Sequence, residues 1–167
     1  MGLFSFIKEA GEKLFGTGEA HAAQVAAAAA PTPENIQALS KAAGDAIATY
    51  IGNMNLNVQS LDVAFDAPTG TVTVSGVAPD QATKEKVLLC CGNVASVQSV
   101  NDMMTVSSPS SESQMYVVAS GDNLSKISNH FYGTPNKYTQ IFEANKPMLT
   151  HPDKIYPGQV LRIPAEA

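Results

Sequence analysis

The chain has 167 residues, 44% of them hydrophobic, which is enough for one domain or two small ones with packed cores. A formal net charge of −5 comes without a long basic stripe, which argues against nucleic acid as a partner. The two cysteines, Cys90 and Cys91, are adjacent in an apolar run; neighbours rarely meet disulfide geometry, so they read as buried reduced thiols.

Leu3, Phe6, Ile7, Ala10 and Leu14 recur at helical spacing, with Lys8, Glu9, Glu12 and Lys13 between them. This predicts a short amphipathic helix within residues 1–16, interrupted or ended at Gly11 and stopped by Gly16. Two lysines balance two glutamates, so docking on its own protein is expected; membrane-surface helices usually carry a basic excess. The stretch "LFSFI" ends at Lys8 with no basic residue before it, which makes a poor export signal. No segment approaches the ~20 apolar residues that span a bilayer. A cytoplasmic protein without stable membrane insertion is the expectation. Residues 17–31 read as an Ala-rich linker.

"TPEN" opens the next helix, with Thr32 as N-cap and Pro33 in the first turn; Ile36, Leu39, Ala43, Ile47, Tyr50 and Ile51 form its apolar stripe, which ends near Gly52. Leu61, Val63 and Phe65 alternate, "APTG" turns, and Val72 and Val74 alternate again, a β-hairpin. Asp80 caps a second helix that stops at Gly92, and residues 97–106 form a third strand. Helix, hairpin, helix and strand make one small α/β layer over residues 32–106.

Residues 107–114, "SSPSSESQ", are a polar linker. In residues 115–167, "MYVV" is a strand, Asn123 caps a helix, and Thr134 with Pro135 starts another. "YPG" suits a type II turn before the returning strand "QVLRIP". The fold class is therefore α+β: two small domains, the second βααβ, behind a short N-terminal helix.

The segments "VVASGDNLSKIS", "FYG", "YTQIFEAN" and "IYPGQVLRIP" resemble a LysM domain, and "GTVTVSGVAPDQATKEKV" with "GNVASVQSVNDMMTV" resembles a BON domain. The whole arrangement is similar to bacterial cytoplasmic potassium-binding proteins with BON and LysM domains. That resemblance implies selective K+ binding with a conformational change, a monomer with BON–LysM contact, and main-chain ligands at Ile7, Ala10, Gly92, Val94 and Val97. Glu12 is the candidate for a sixth oxygen, a place that water could fill instead.

The residues are compatible with such a site. K+ suits a shell of neutral carbonyl oxygens, whereas carboxylate clusters recruit Ca²⁺ or Mg²⁺. No EF-hand pattern occurs, and Asp62, Asp66, Asp80 and Asp102 are spread along the chain. Helix ends near Gly11 and Gly92 supply carbonyls at the negative end of the macrodipole, and a left-handed glycine would turn them outward. On residues alone, both glycines are equally ordinary helix stops.

Residues 34–106 carry seven acids and three lysines, and residues 115–164 three acids and five bases, so the two domains should attract. His21, His130 and His151 are too scattered for a zinc site, and no nucleophile, P-loop or dinucleotide motif appears, so no enzyme is expected. The competing reading is peptidoglycan binding in an exported protein: 121–124 and 145–147 flank the groove where LysM domains hold N-acetylglucosamine chains. Phospholipid contact through BON is a third, opposed by the acidic balance.

Overall fold

Thr32 starts the first helix, α1 (Pro33–Asn53), by accepting the Asn35 N–H on Oγ1 at 3.3 Å, with Pro33 where a missing N–H is harmless. The computed structural model describes residues 2–5, 29, 32–94 and 97–166. After α1 come β2 (Gln59–Asp66) and β3 (Thr71–Asp80), paired antiparallel with Val63 opposite Val74 and Phe65 opposite Val72. These four side chains alternate toward the helices and are buried, as period-2 patterning requires. Asp66 closes the turn, taking the Thr69 N–H on its carboxylate at 3.2 Å and the Gly70 N–H on its carbonyl at 2.8 Å.

Asp80 caps α2 (Gln81–Gly92) by accepting the Thr83 N–H at 2.7 Å. The chain then crosses to β4 (Ser99–Ser108), which lies parallel to β3, with Val72 beside Val100. β4 runs into the serine stretch read as linker, because Ser108 still pairs with Asp80.

The other side of β4 carries β1 (Gly2–Ser5), antiparallel, which gives the sheet order β1-β4-β3-β2. Here the expected N-terminal helix needs correction. Residues 2–5 are strand, since the open edge of β4 offers N–H and C=O groups that need partners. Residues 6–16 and, apart from Ala29, the 17–31 linker lie outside the described residues.

Nearly every side of α2 is buried: Gln81, Glu85 and the run from Val87 to Gly92. Consecutive apolar residues point all round a helix, so such a helix needs neighbours on opposite sides. One neighbour is the four-stranded sheet with α1; the other is the C-terminal domain.

That domain consists of β5 (Gln114–Val117), α3 (Leu124–Tyr132), a 3₁₀ turn (Pro135–Lys137), α4 (Tyr138–Ala144) and β6 (Val160–Ile163). Asn123 caps α3 by accepting the Lys126 N–H at 2.8 Å. The helix expected from Thr134 begins instead as the 3₁₀ turn: Thr134 Oγ1 accepts from Asn136 N–H at 3.3 Å, and the Tyr138 N–H returns to Pro135 O. Gly158, with φ 86°, takes the left-handed position of the "YPG" turn, and Gln159 N–H closes it on Tyr156 O at 3.1 Å.

β5 and β6 pair antiparallel, and both faces of this ribbon are covered. Leu161 and Ile163 join Val118, Leu124, Ile127, Ile141 and Leu149 in the domain's own core. Val160, with Met148, is buried in the cluster that holds Ile47, Ile51, Leu89 and Cys90, and Met115 and Val117 pack against it. Two covered faces explain why "MYVV" and "VLRI" are apolar almost throughout.

Candidate metal centre

Gly92, Val94 and Val97 all lie in the turn that joins α2 to β4. Gly92 is buried, Val94 is 1% exposed and Val97 fully buried. Ile7, Ala10 and Glu12 lie outside the described residues.

The end of α2 differs from the expectation in one respect. Gly92 is the last helical residue and is not left-handed; the cap is Asn93, with φ −85° and ψ 1°, whose N–H reaches back to Leu89 O at 3.0 Å. The helix closes without a glycine reversal because the next residues continue the tight winding. Val94 N–H bonds to Cys91 O and Val97 N–H to Val94 O, both at 3.3 Å. Gln98 N–H then donates to Gly70 O at 2.7 Å, tying the turn to the β2–β3 hairpin.

The β1–β4 register bears on the same turn. Ser5 is opposite Ser99, so the chain leaves β1 two residues past Val97 in register terms. Ile7 is two residues beyond Ser5 in sequence.

Among the described residues, no group of three or more His, Cys, Asp or Glu side chains comes together as a metal site. Two buried acids have other work. Asp102, on the inward face of β4, pairs with Lys84 of α2 at 2.8 Å and accepts the Met104 N–H at 2.9 Å. Glu85 is bonded to Arg162, Gln81 and Ser113. Both cysteines are free and buried; burial pushes the Cys90 thiol up to about 12, against the nearby Lys86 charge, and burial followed by the neighbouring Cys90 raises Cys91 well above its usual range. Such thiols are poor metal ligands and poor nucleophiles.

The residues flanking the expected sugar groove are largely engaged inside the domain. Asn145 is 2% exposed; its Nδ2 donates to Ile141 O and Arg162 O at 2.7 and 2.8 Å, and its Oδ1 accepts the Arg162 N–H at 2.8 Å. Asp122 accepts from Tyr116 Oη and from the Ala119 N–H, each at 2.8 Å. Met148, in the loop after α4, is buried against the N-terminal domain.

Sequence reasoning missed Asn93. Its side chain crosses to β6 and bonds both the N–H and the C=O of Val160. The only local signal was an asparagine directly after the helix-stopping glycine, which reads as a cap.

Comparison with known proteins fits this division. Residues 37–108 match the BON domain family and residues 116–164 the LysM domain family. A protein of Escherichia coli O6:H1 named "Potassium binding protein Kbp" is 44% identical over 168 residues, covering 99% of this chain and 100% of that protein. A Deinococcus radiodurans protein named only as uncharacterized is 48% identical over 50 residues, which is 30% of this chain and 19% of that protein. Similarity along the full length of both proteins makes this chain, with its BON and LysM domains, a member of the family to which the Escherichia coli protein belongs.

Proposed function

We propose that this chain is a cytoplasmic, monomeric K+-binding protein that holds the ion through main-chain carbonyls of residues 7–10 and 92–97 and becomes more compact on binding it. Glu12 or a water completes the shell. The observation that carries this reading is the β1–β4 register. A chain spans at most ~3.6 Å per residue, so Ile7 lies within about 7 Å of Ser5, and Ser5 is opposite Ser99, two residues after Val97. This pairing of residues 2–5 with 99–102 supports a site shared by the two predicted ligand segments.

Three further points support it. The related Escherichia coli protein is named for potassium binding. The acids of the described residues are dispersed or internally paired, which leaves backbone oxygens as donors, the type that suits a large monovalent ion. Both matched domains are binding modules, which favours binding over catalysis. The ion would draw the N-terminal segment onto the BON turn, and it shifts the population only by the difference in its affinity for the open and closed forms.

Calorimetric titration with KCl against NaCl at equal ionic strength tests this directly. A saturable heat with K+ and none with Na+ is expected; no heat, or equal heats, would end the proposal. Small-angle scattering in the two salts tests compaction. The LysM match alone favours peptidoglycan, and the internal bonding of Asn145 opposes it. In a pull-down on purified cell wall the protein is expected to stay in the supernatant.

A further inference from the structure

Asn93 stands between Gly92 and Val94, yet its side chain belongs to the other domain's sheet. Nδ2 donates to Val160 O at 3.1 Å, and Oδ1 accepts the Val160 N–H at 3.0 Å. One amide side chain thus makes both bonds that a residue of a neighbouring strand would make. Two residues further along β6, Asn145 treats Arg162 in the same way, at 2.8 Å for each bond. β6 therefore has β5 on one edge and two asparagine amides on the other. Asn145 comes from the LysM domain itself; Asn93 comes from the turn after α2.

We propose, resting on the reading of this turn as a K+ site, that Asn93 is a positioning residue: through it the LysM domain sets the spacing of the Gly92 and Val94 carbonyls. Backbone bonds hold the two ends of the turn, Asn93 N–H to Leu89 O at 3.0 Å and Gln98 N–H to Gly70 O at 2.7 Å, while Val94 N–H to Cys91 O and Val97 N–H to Val94 O, between them, are 3.3 Å long, beyond the usual 2.9–3.0 Å. The two Asn93 side-chain bonds are shorter than that inner pair and end on a strand fixed by its own ladder. A cage of neutral oxygens distinguishes ions through the number and spacing of its dipoles, so whatever fixes the turn tunes the site. The residue type fits this task. Aspartate could accept the Val160 N–H but would set a second acceptor against Val160 O, and alanine would leave both groups without their partner.

A plain docking contact is the alternative, and a control separates the two. Arg162 also joins the domains, through Glu85. Glu85 is eight residues before Asn93 on α2, about 12 Å along the helix axis. Full-length wild-type, Asn93→Ala, Asn93→Asp and Arg162→Leu proteins are titrated with KCl and with RbCl at constant ionic strength, and melted in K+-free buffer. Asn93→Ala and Asn93→Asp are expected to raise the K+ Kd about tenfold and to flatten the K+/Rb+ ratio. Arg162→Leu, although it lowers the melting temperature at least as much, is expected to change Kd less than about threefold and to leave the ratio intact. Should alanine prevent folding, Asn93→Asp carries the comparison. An unchanged Kd in the Asn93 variants of a K+-binding wild type overturns the proposal, as does an equal loss in Arg162→Leu, while the ion-binding reading survives both results. A wild-type protein that takes up no K+ overturns the two together.

Discussion

Arg162 of β6 donates through Nε to the Glu85 carboxylate of α2, with the two side chains 12% and 3% exposed. The same carboxylate accepts the Gln81 amide at 3.1 Å and the Ser113 N–H at 2.8 Å, so one acid joins the BON helix, the linker and LysM. Burial alone would raise its pKa, but the Ser113, Arg162 and Gln81 bonds outweigh that and hold it below the usual glutamate value. A depressed folded pKa contributes stability above the unfolded value, about 4.3, and loses it as the pH falls through the folded value. Thermal stability should therefore be flat above about pH 5 with respect to this group and fall below about pH 4. Glu85→Gln, which strands the guanidinium, should cost on the order of 3 kcal/mol at pH 7 and flatten that acid slope. Urea melts at pH 7 and pH 3.5 measure both; equal slopes for the two proteins would remove Glu85 from the account.

β1 is four residues long, yet on the proposed reading it aims the N-terminal ligands. A variant lacking residues 1–5 keeps β2, β3, β4 and the helices of the BON layer, so its circular dichroism should match that of the intact protein. Its K+ affinity should fall at least about tenfold, because the following segment loses its anchor beside Ser99. Undiminished binding would show that residues 7–10 reach the turn without strand pairing, or do not take part.

Cys90 and Cys91 supply a readout of opening. With the Cys90 thiol pushed up to about 12, its thiolate fraction at pH 8 is about a thousandfold below that of a free cysteine near 8.5. Ellman's reagent should therefore modify both thiols within seconds in denaturant and at least about a thousandfold more slowly in the native protein. KCl should slow the native reaction more than NaCl does. Rapid native labelling would contradict the burial of α2 between the sheet and LysM.

The local signals in the sequence located most of the fold. Asp80, Asn123 and Thr32 cap the helices that follow them, and the alternation of Val63, Phe65, Val72 and Val74 gives the hairpin, because caps and pleats are set by residues close in the chain. β1 was not legible: Leu3 fits a helical stripe with Phe6 and Ile7, and the partner that makes it a strand lies more than ninety positions away at 99–102. Asn93 was hidden for the same reason, since Val160 is 67 residues distant. Carbonyl ligands leave almost no trace in side-chain identity, so the proposal of Gly92, Val94 and Val97 as ligands rests on resemblance, and the structure adds that all three lie between α2 and β4.

Two glycines of α1 should respond to alanine in opposite directions. At Gly44 a Cβ would sit 2.8 Å from Val63 O and 3.4 Å from Phe65 N, both backbone atoms of β2 that cannot rotate away. The helix and strand approach closely there because no side chain intervenes. Gly44→Ala gains up to about 1 kcal/mol of helix propensity, but overpacking of this kind costs about 1–3 kcal/mol, and with backbone on the far side the upper part of that range applies. At Gly52, in the exposed last turn, a Cβ meets nothing within 4 Å. Only the propensity gain remains, about 0.5–1 kcal/mol. For a chain of 167 residues each kcal/mol moves the midpoint by about 2–4 °C. Gly44→Ala should therefore melt several degrees below the parent and Gly52→Ala one to four degrees above it, by differential scanning calorimetry. A Gly44→Ala protein as stable as the parent would mean that α1 and β2 do not touch at that point, and the BON layer would need a different packing.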